Sequence, residues 1–154
     1  MTATFRPANV VKAGLAGGMV DFVYGSVRGA LDDGKVVQVW QSVASGWLGK
    51  ASYQLGWTSL ALGVVTHFGI AIVMAAAYAL AALKAPLLLR RPWLCGAAYG
   101  LVLYGVMYRI VLPLRWPAAF PKWNGGQSVV DIAAHVGVGL AIALVLARSA
   151  TAKR

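Results

Sequence analysis

The chain is short of acid, of cysteine and of charge altogether. Of its 154 residues only four are Asp or Glu, one is Cys, and 12% are charged, against about 25% charged in an average soluble domain. A single thiol closes no intramolecular disulfide. Cys95 stands at the start of an apolar run, where it reads as a small buried hydrophobe, and no redox or metal motif can be built on it. Nor is there a nucleophile–base pair or a phosphate-binding loop: Gly14-Leu15-Ala16-Gly17-Gly18 lies within an apolar stretch, so its glycines read as helix packing. These absences weigh against an enzyme.

Apolar sequence is what the chain has instead. Sixty per cent of the residues are hydrophobic and the mean hydropathy is +0.71. That much apolar sequence suits about four membrane-crossing helices of roughly 20 residues each. Runs at 10–31, 58–83, 92–113 and 127–147 supply them, which makes the chain one all-α integral-membrane domain, a membrane-embedded four-helix bundle. Fourteen Lys and Arg residues give a net charge of +10. They gather at the ends of the apolar runs, as in Lys84-Ala85-Pro86-Leu87-Leu88-Leu89-Arg90-Arg91. There they serve as topology signals and as contacts to the bilayer's anionic lipid headgroups. Nucleic acid is not an expected partner, because no basic patch is interleaved with base-stacking aromatics.

Four spans put both termini on one side with the loop after the second span. That side carries Arg6, Lys12, Lys84, Arg90, Arg91, Arg148, Lys153 and Arg154, and the other carries Arg28, Lys35, Lys50, Arg109, Arg115 and Lys122. Eight cations against six put both termini in the cytoplasm.

Two connections have character of their own. In residues 34–57, Val36, Val39/Trp40, Val43 and Trp47 recur at helical spacing with Gln38, Gln41, Ser42 and Ser45 between them. This pattern predicts an extra short helix near 35–48, either lying in the interface with its tryptophans in the headgroup belt or re-entrant, with Ser45-Gly46 and Gly49 permitting the reversal. Residues 112–123 hold three prolines and two tryptophans, which predicts a rigid interfacial turn in place of continued helix. Small residues four apart, Gly14/Gly18, Gly25/Gly29 and Gly96/Gly100, let helix backbones approach closely in lipid, within the bundle or between copies. A homo-oligomer is the expectation, since four helices enclose little interior.

Ionisable groups inside a bilayer are costly, and each is a functional candidate. Counted from the face shared by the 32–57 and 112–126 connections, Asp21, His67, His135 and Tyr104 all fall roughly 12–14 Å deep at about 1.5 Å per residue. Asp131 and His135 are i and i+4, so they share a helix face. Asp21, Tyr24 and Arg28 share another, and Tyr104 and Tyr108 a third, with Arg109 beside them. One polar cavity is therefore expected, with Tyr24, Tyr104 and Tyr108 as hydroxyl partners and Arg28 and Arg109 balancing the acids near its mouth. Three uses are compatible with these residues. The histidines and acids satisfy one another and fix helix register; or they form a proton or small-ion site; or they hold a cofactor. The last takes two forms. His67 and His135 would ligate a b-type haem, with Gly63, Gly69, Gly137 and Gly139 making room for it, or His67, His135 and Asp131 would hold a divalent metal.

The stretches Gly63-Val64-Val65-Thr66-His67-Phe68 and Asp131-Ile132-Ala133-Ala134-His135, with Ala77-Tyr78 and the Pro/Trp-containing connection between them, resemble the uncharacterised bacterial inner-membrane proteins of the YagU type. The resemblance runs from Gly63 to the end of the chain and, more loosely, over the glycine-rich first span; residues 32–57 do not match that family's longer first connection. It implies a four-helix protein of the bacterial inner membrane whose motif is two histidines and an acid. It implies no activity.

Overall fold

The computed structural model describes residues 3–152. Helix α1 spans Pro7–Leu31, α2 Val36–Leu48, α3 Gly56–Lys84, α4 Leu87–Arg90, α5 Pro92–Val106, α6 Leu112–Arg115 and α7 Gly126–Ser149. Four stretches are long and apolar enough to cross a membrane: Pro7–Leu31, Gly56–Lys84, Pro92–Arg115 and Gly126–Ser149. They form a helical bundle, with α2 as the extra short helix. The described chain ends meet in a two-residue antiparallel ladder, Ala3 with Ala152 and Thr4 with Thr151, and the Asn9 side chain donates to the Ser149 carbonyl at 3.3 Å. Both termini therefore lie at the same end of the bundle.

The third span runs two residues beyond the boundary drawn from its proline. Pro113 lacks an N–H and its ring would collide with the carbonyl four residues earlier. The backbone widens into a π turn over Met107–Val111, and this accommodates the proline, so the helix continues to Arg115. It stops at Trp116, whose backbone has left the helical region, the region disfavoured for a residue preceding proline.

Backbone proximity decides which helices are neighbours. A side chain at Gly14 would strike the backbone of Ile72, and one at Gly29 would meet Val36 Cα at 2.9 Å. Gly96 and Gly100 lie on α7, where a Cβ would meet Gly139, His135 and Val136 backbone. All three spaced glycine pairs are thus spent inside one copy of the chain, with Gly25 facing the Trp40 ring at a looser 3.5 Å. They give α1 against α3, α1 against α2, and α5 against α7. Helix α7 lies between α1 and α5, while α3 and α5 make no extended contact. A core of Ala13, Ala75, Tyr78, Ile142, Ala143 and Leu146 fills the half nearer the termini.

Helix α2 buries polar residues together with part of its apolar stripe. Trp40, Gln41, Ala44 and Ser45 are buried, whereas Trp47 is 68% exposed. The α2 backbone crosses α3 where Gly63 leaves room for the Trp40 carbonyl. Trp40 is a packing anchor and not a headgroup-belt residue: it stacks on Phe22 at 4.5 Å and donates to Ser26 Oγ at 3.3 Å. Gln41 donates to the Gly56 carbonyl at 3.1 Å and to Ser59 Oγ at 3.3 Å. Ser52 donates to the Gln41 carbonyl, and Ser59 to the Ser52 carbonyl, each at 2.6 Å. In lipid, polar groups turn inward and apolar ones outward, because hydrocarbon offers them no hydrogen bonds.

Candidate functional site

The expected single cluster is divided in two. The first half is built on α7. Asp131 is 5% exposed, and its carboxylate accepts a hydrogen bond from the Tyr24 hydroxyl and one from Gln127 Nε2 at 3.1 Å. Gln127 also donates to the Tyr24 oxygen at 2.7 Å, and Arg28 stands 3.5 Å from the same carboxylate. A buried anion costs several kcal/mol unless it is paired and hydrogen-bonded; Asp131 is both. Every arm of this group is supplied by the chain itself, so it is closed.

The second half joins α1 to α3. His67 Nδ1 lies 3.8 Å from Asp21 Oδ2, and the two side chains are 12% and 31% exposed. His67 Nε2 lies 2.9 Å from the Gly18 carbonyl oxygen. A carbonyl only accepts, so Nε2 carries a hydrogen and donates to it. Nδ1 is then the nitrogen that faces Asp21, at a separation longer than a hydrogen bond. Phe22, Trp40 and Phe68 surround the imidazole, with Trp40 and Phe68 edge-on at 5.1 and 5.2 Å.

Asp21, His67 and His135 all line one cavity of about 640 Å³ between α3 and the α5–α6 helix, floored by α1 and α7. It reaches from Trp47, Arg115 and Trp116 at the connecting-loop end down to Met74 and Val138. His135 Nδ1 is 2.9 Å from the backbone carbonyl of Asp131, which again makes the nitrogen the donor. The i, i+4 pair meets through backbone, while the carboxylate goes to α1. Tyr104 and Tyr108 stack on each other at 4.5 Å, and each meets His135 edge-on at 5.7 Å. Arg109 lies apart, exposed, in a hollow of about 110 Å³ with Tyr104, Tyr108 and Lys122.

Neither cofactor arrangement fits this donor set. For bis-histidine haem, His67 has Nε2 donating to Gly18 and only Nδ1, which faces Asp21, left to ligate. Two of the glycines expected to make room, Gly63 and Gly139, are filled by the backbones of α2 and α5. For a metal, among the described residues no three His, Cys, Asp or Glu side chains come together; Asp131 is held by Tyr24, Gln127 and Arg28.

Sequence reasoning missed Gln127, although its i, i+4 spacing to Asp131 marked it. It also missed the aromatic box of Phe22, Trp40 and Phe68, which no local spacing reveals. Comparison with known proteins brings no match: no family model fits the chain, and no curated protein or solved structure is similar to it.

Proposed function

We propose that the protein is a multi-pass bacterial inner-membrane protein, its termini cytoplasmic and its later spans of the YagU type, that binds a proton at the Asp21–His67 pair. The observation that carries this reading is the fixed tautomer. Gly18 holds the hydrogen on Nε2, which leaves Nδ1 as the nitrogen open to a second proton, facing the Asp21 carboxylate beside a cavity. Imidazole is the side chain that changes charge near neutral pH, and a coupled pair titrates as a unit.

Access is one-sided. The cavity leads from the pair toward the end bearing the 32–57 and 112–126 connections, while the apolar core around Tyr78, Ile142 and Leu146 closes the path toward the termini. The arrangement suits a sensor, or the loaded state of a proton-linked cycle, better than an open proton channel. The cation count, eight against six, supports a cavity mouth on the periplasmic side.

Oriented proteoliposomes test the reading. Acidifying the connecting-loop side is expected to load the site promptly, and acidifying the terminus side to load it slowly or not at all. His67→Gln and Asp21→Asn are each expected to abolish the response. Equal responses from both sides would contradict the one-sided site.

A further inference from the structure

The same cavity carries a feature that proton binding does not use. All four acidic side chains of the chain already have a basic side chain beside them: Asp131 with Arg28, Asp32 and Asp33 with Lys35, and Asp21 with the His67 imidazole. No side-chain carboxylate remains for Arg115, which lines the cavity mouth. The backbone that carries Arg115 is anchored by its neighbour. Next to it, Trp116 donates from Nε1 to Ser45 Oγ at 3.2 Å, and its ring lies about a van der Waals contact from Gly46, 3.6 Å or less from where a Cβ would stand. The end of α6 is thereby clasped onto α2.

Below Arg115 the cavity is lined mostly by apolar side chains, with Asp21, His67 and His135 among them, and it is open at the side. Its walls include Ile70 on α3 and Val111 on the π turn, both partly exposed at 36% and 38%, because α3 and α5 do not close on each other. At its inner end the Tyr99 hydroxyl donates to the Met74 carbonyl at 2.7 Å and bridges the two walls. A volume of about 640 Å³ falls within the roughly 300–1,000 Å³ of small-ligand sites.

We infer that this cleft seats one anionic phospholipid from the surrounding bilayer, its phosphate on Arg115 and one acyl chain along Ile70, Val111 and Met74. A guanidinium takes a phosphate by paired N–H donors, and indoles such as Trp47 and Trp116 belong at headgroup depth. Charge selects the occupant: an unpaired cation at the mouth with an apolar channel beneath complements an anionic head bearing a hydrocarbon tail. This inference does not rest on the proton reading, since neither Asp21 nor His67 contacts the headgroup.

Native mass spectrometry of the full chain tests it, with the protein delipidated in detergent and offered phosphatidylglycerol or phosphatidylcholine. One retained phosphatidylglycerol is expected, with at least about tenfold preference over phosphatidylcholine, a ratio that corresponds to 1.4 kcal/mol. Arg115→Gln should remove the preference, Arg115→Lys should keep part of it, and Val111→Trp should remove retention by filling the channel. Lys50→Gln, a loop cation away from the cavity, should change nothing. Glycerophosphoglycerol, the headgroup without its chains, should fail to compete; competition by it would assign the site to a free phosphate and overturn the proposal. Equal retention of both lipids, or equal losses in Arg115→Gln and Lys50→Gln, would also overturn it.

Discussion

The two sides of this bundle treat a carboxylate in opposite ways. Where α7 packs on α1 and α5, glycine seams draw backbones together and Asp131 receives Tyr24, Gln127 and Arg28. Where α3 and the α5–α6 helix stand apart, Asp21 receives one imidazole and faces a cavity. Both acids come from transmembrane helices. What separates them is how many partners the neighbouring backbones bring within reach. Asp131 has its hydrogen-bond partners in place, and the proposed proton site is built on the half-partnered Asp21.

The contrast can be broken first on the closed side. Gly100→Leu places a branched side chain where the His135 and Val136 backbone lies, so the α5–α7 seam should part and folded protein recovered in detergent should fall severely. Leu101→Ala, at a residue 53% exposed, should leave recovery near wild type. Next in size, Asp131→Ala strands Tyr24, Gln127 and Arg28 together; a loss of about 2–4 kcal/mol is expected, read from denaturant unfolding in mixed micelles. Tyr24→Phe removes one donor to Asp131 and should cost about 1 kcal/mol by the same measurement. On the open side the order reverses. Asp21→Asn should shift stability by less than about 1 kcal/mol while abolishing pH-linked behaviour.

Much of this contrast was legible in the sequence. The four spans and the short helix near 35–48 follow from apolar run lengths and helical spacing, and Asp21, His67 and His135, expected at one depth, line one cavity. The glycine pairs marked real helix contacts, although spacing alone did not say that α1, α3, α5 and α7 of one copy would use them. Three features stayed hidden for physical reasons. The burial of Trp40, expected in the headgroup belt, and of Gln41 and Ser45 stayed hidden because helical spacing does not say which neighbours a short helix meets, whereas lipid rewards turning Gln41 and Ser45 inward. The deciding partners of His67 and His135 are the carbonyls of Gly18 and Asp131, and a carbonyl acceptor carries no residue identity. The π turn that carries Pro113 is a backbone adjustment without a sequence period of its own.

Proton uptake by variants in liposomes, titrated from about pH 8 to pH 5 where imidazole changes charge, tests the central claim most directly. If Asp21 and His67 share one proton, then Asp21→Asn and His67→Gln should each lose the same single proton. The double variant should lose no more than either alone, and Asp131→Asn should keep the full count. Losses that add in the double variant, or an Asp131→Asn protein that loses the proton while Asp21→Asn retains it, would contradict the account.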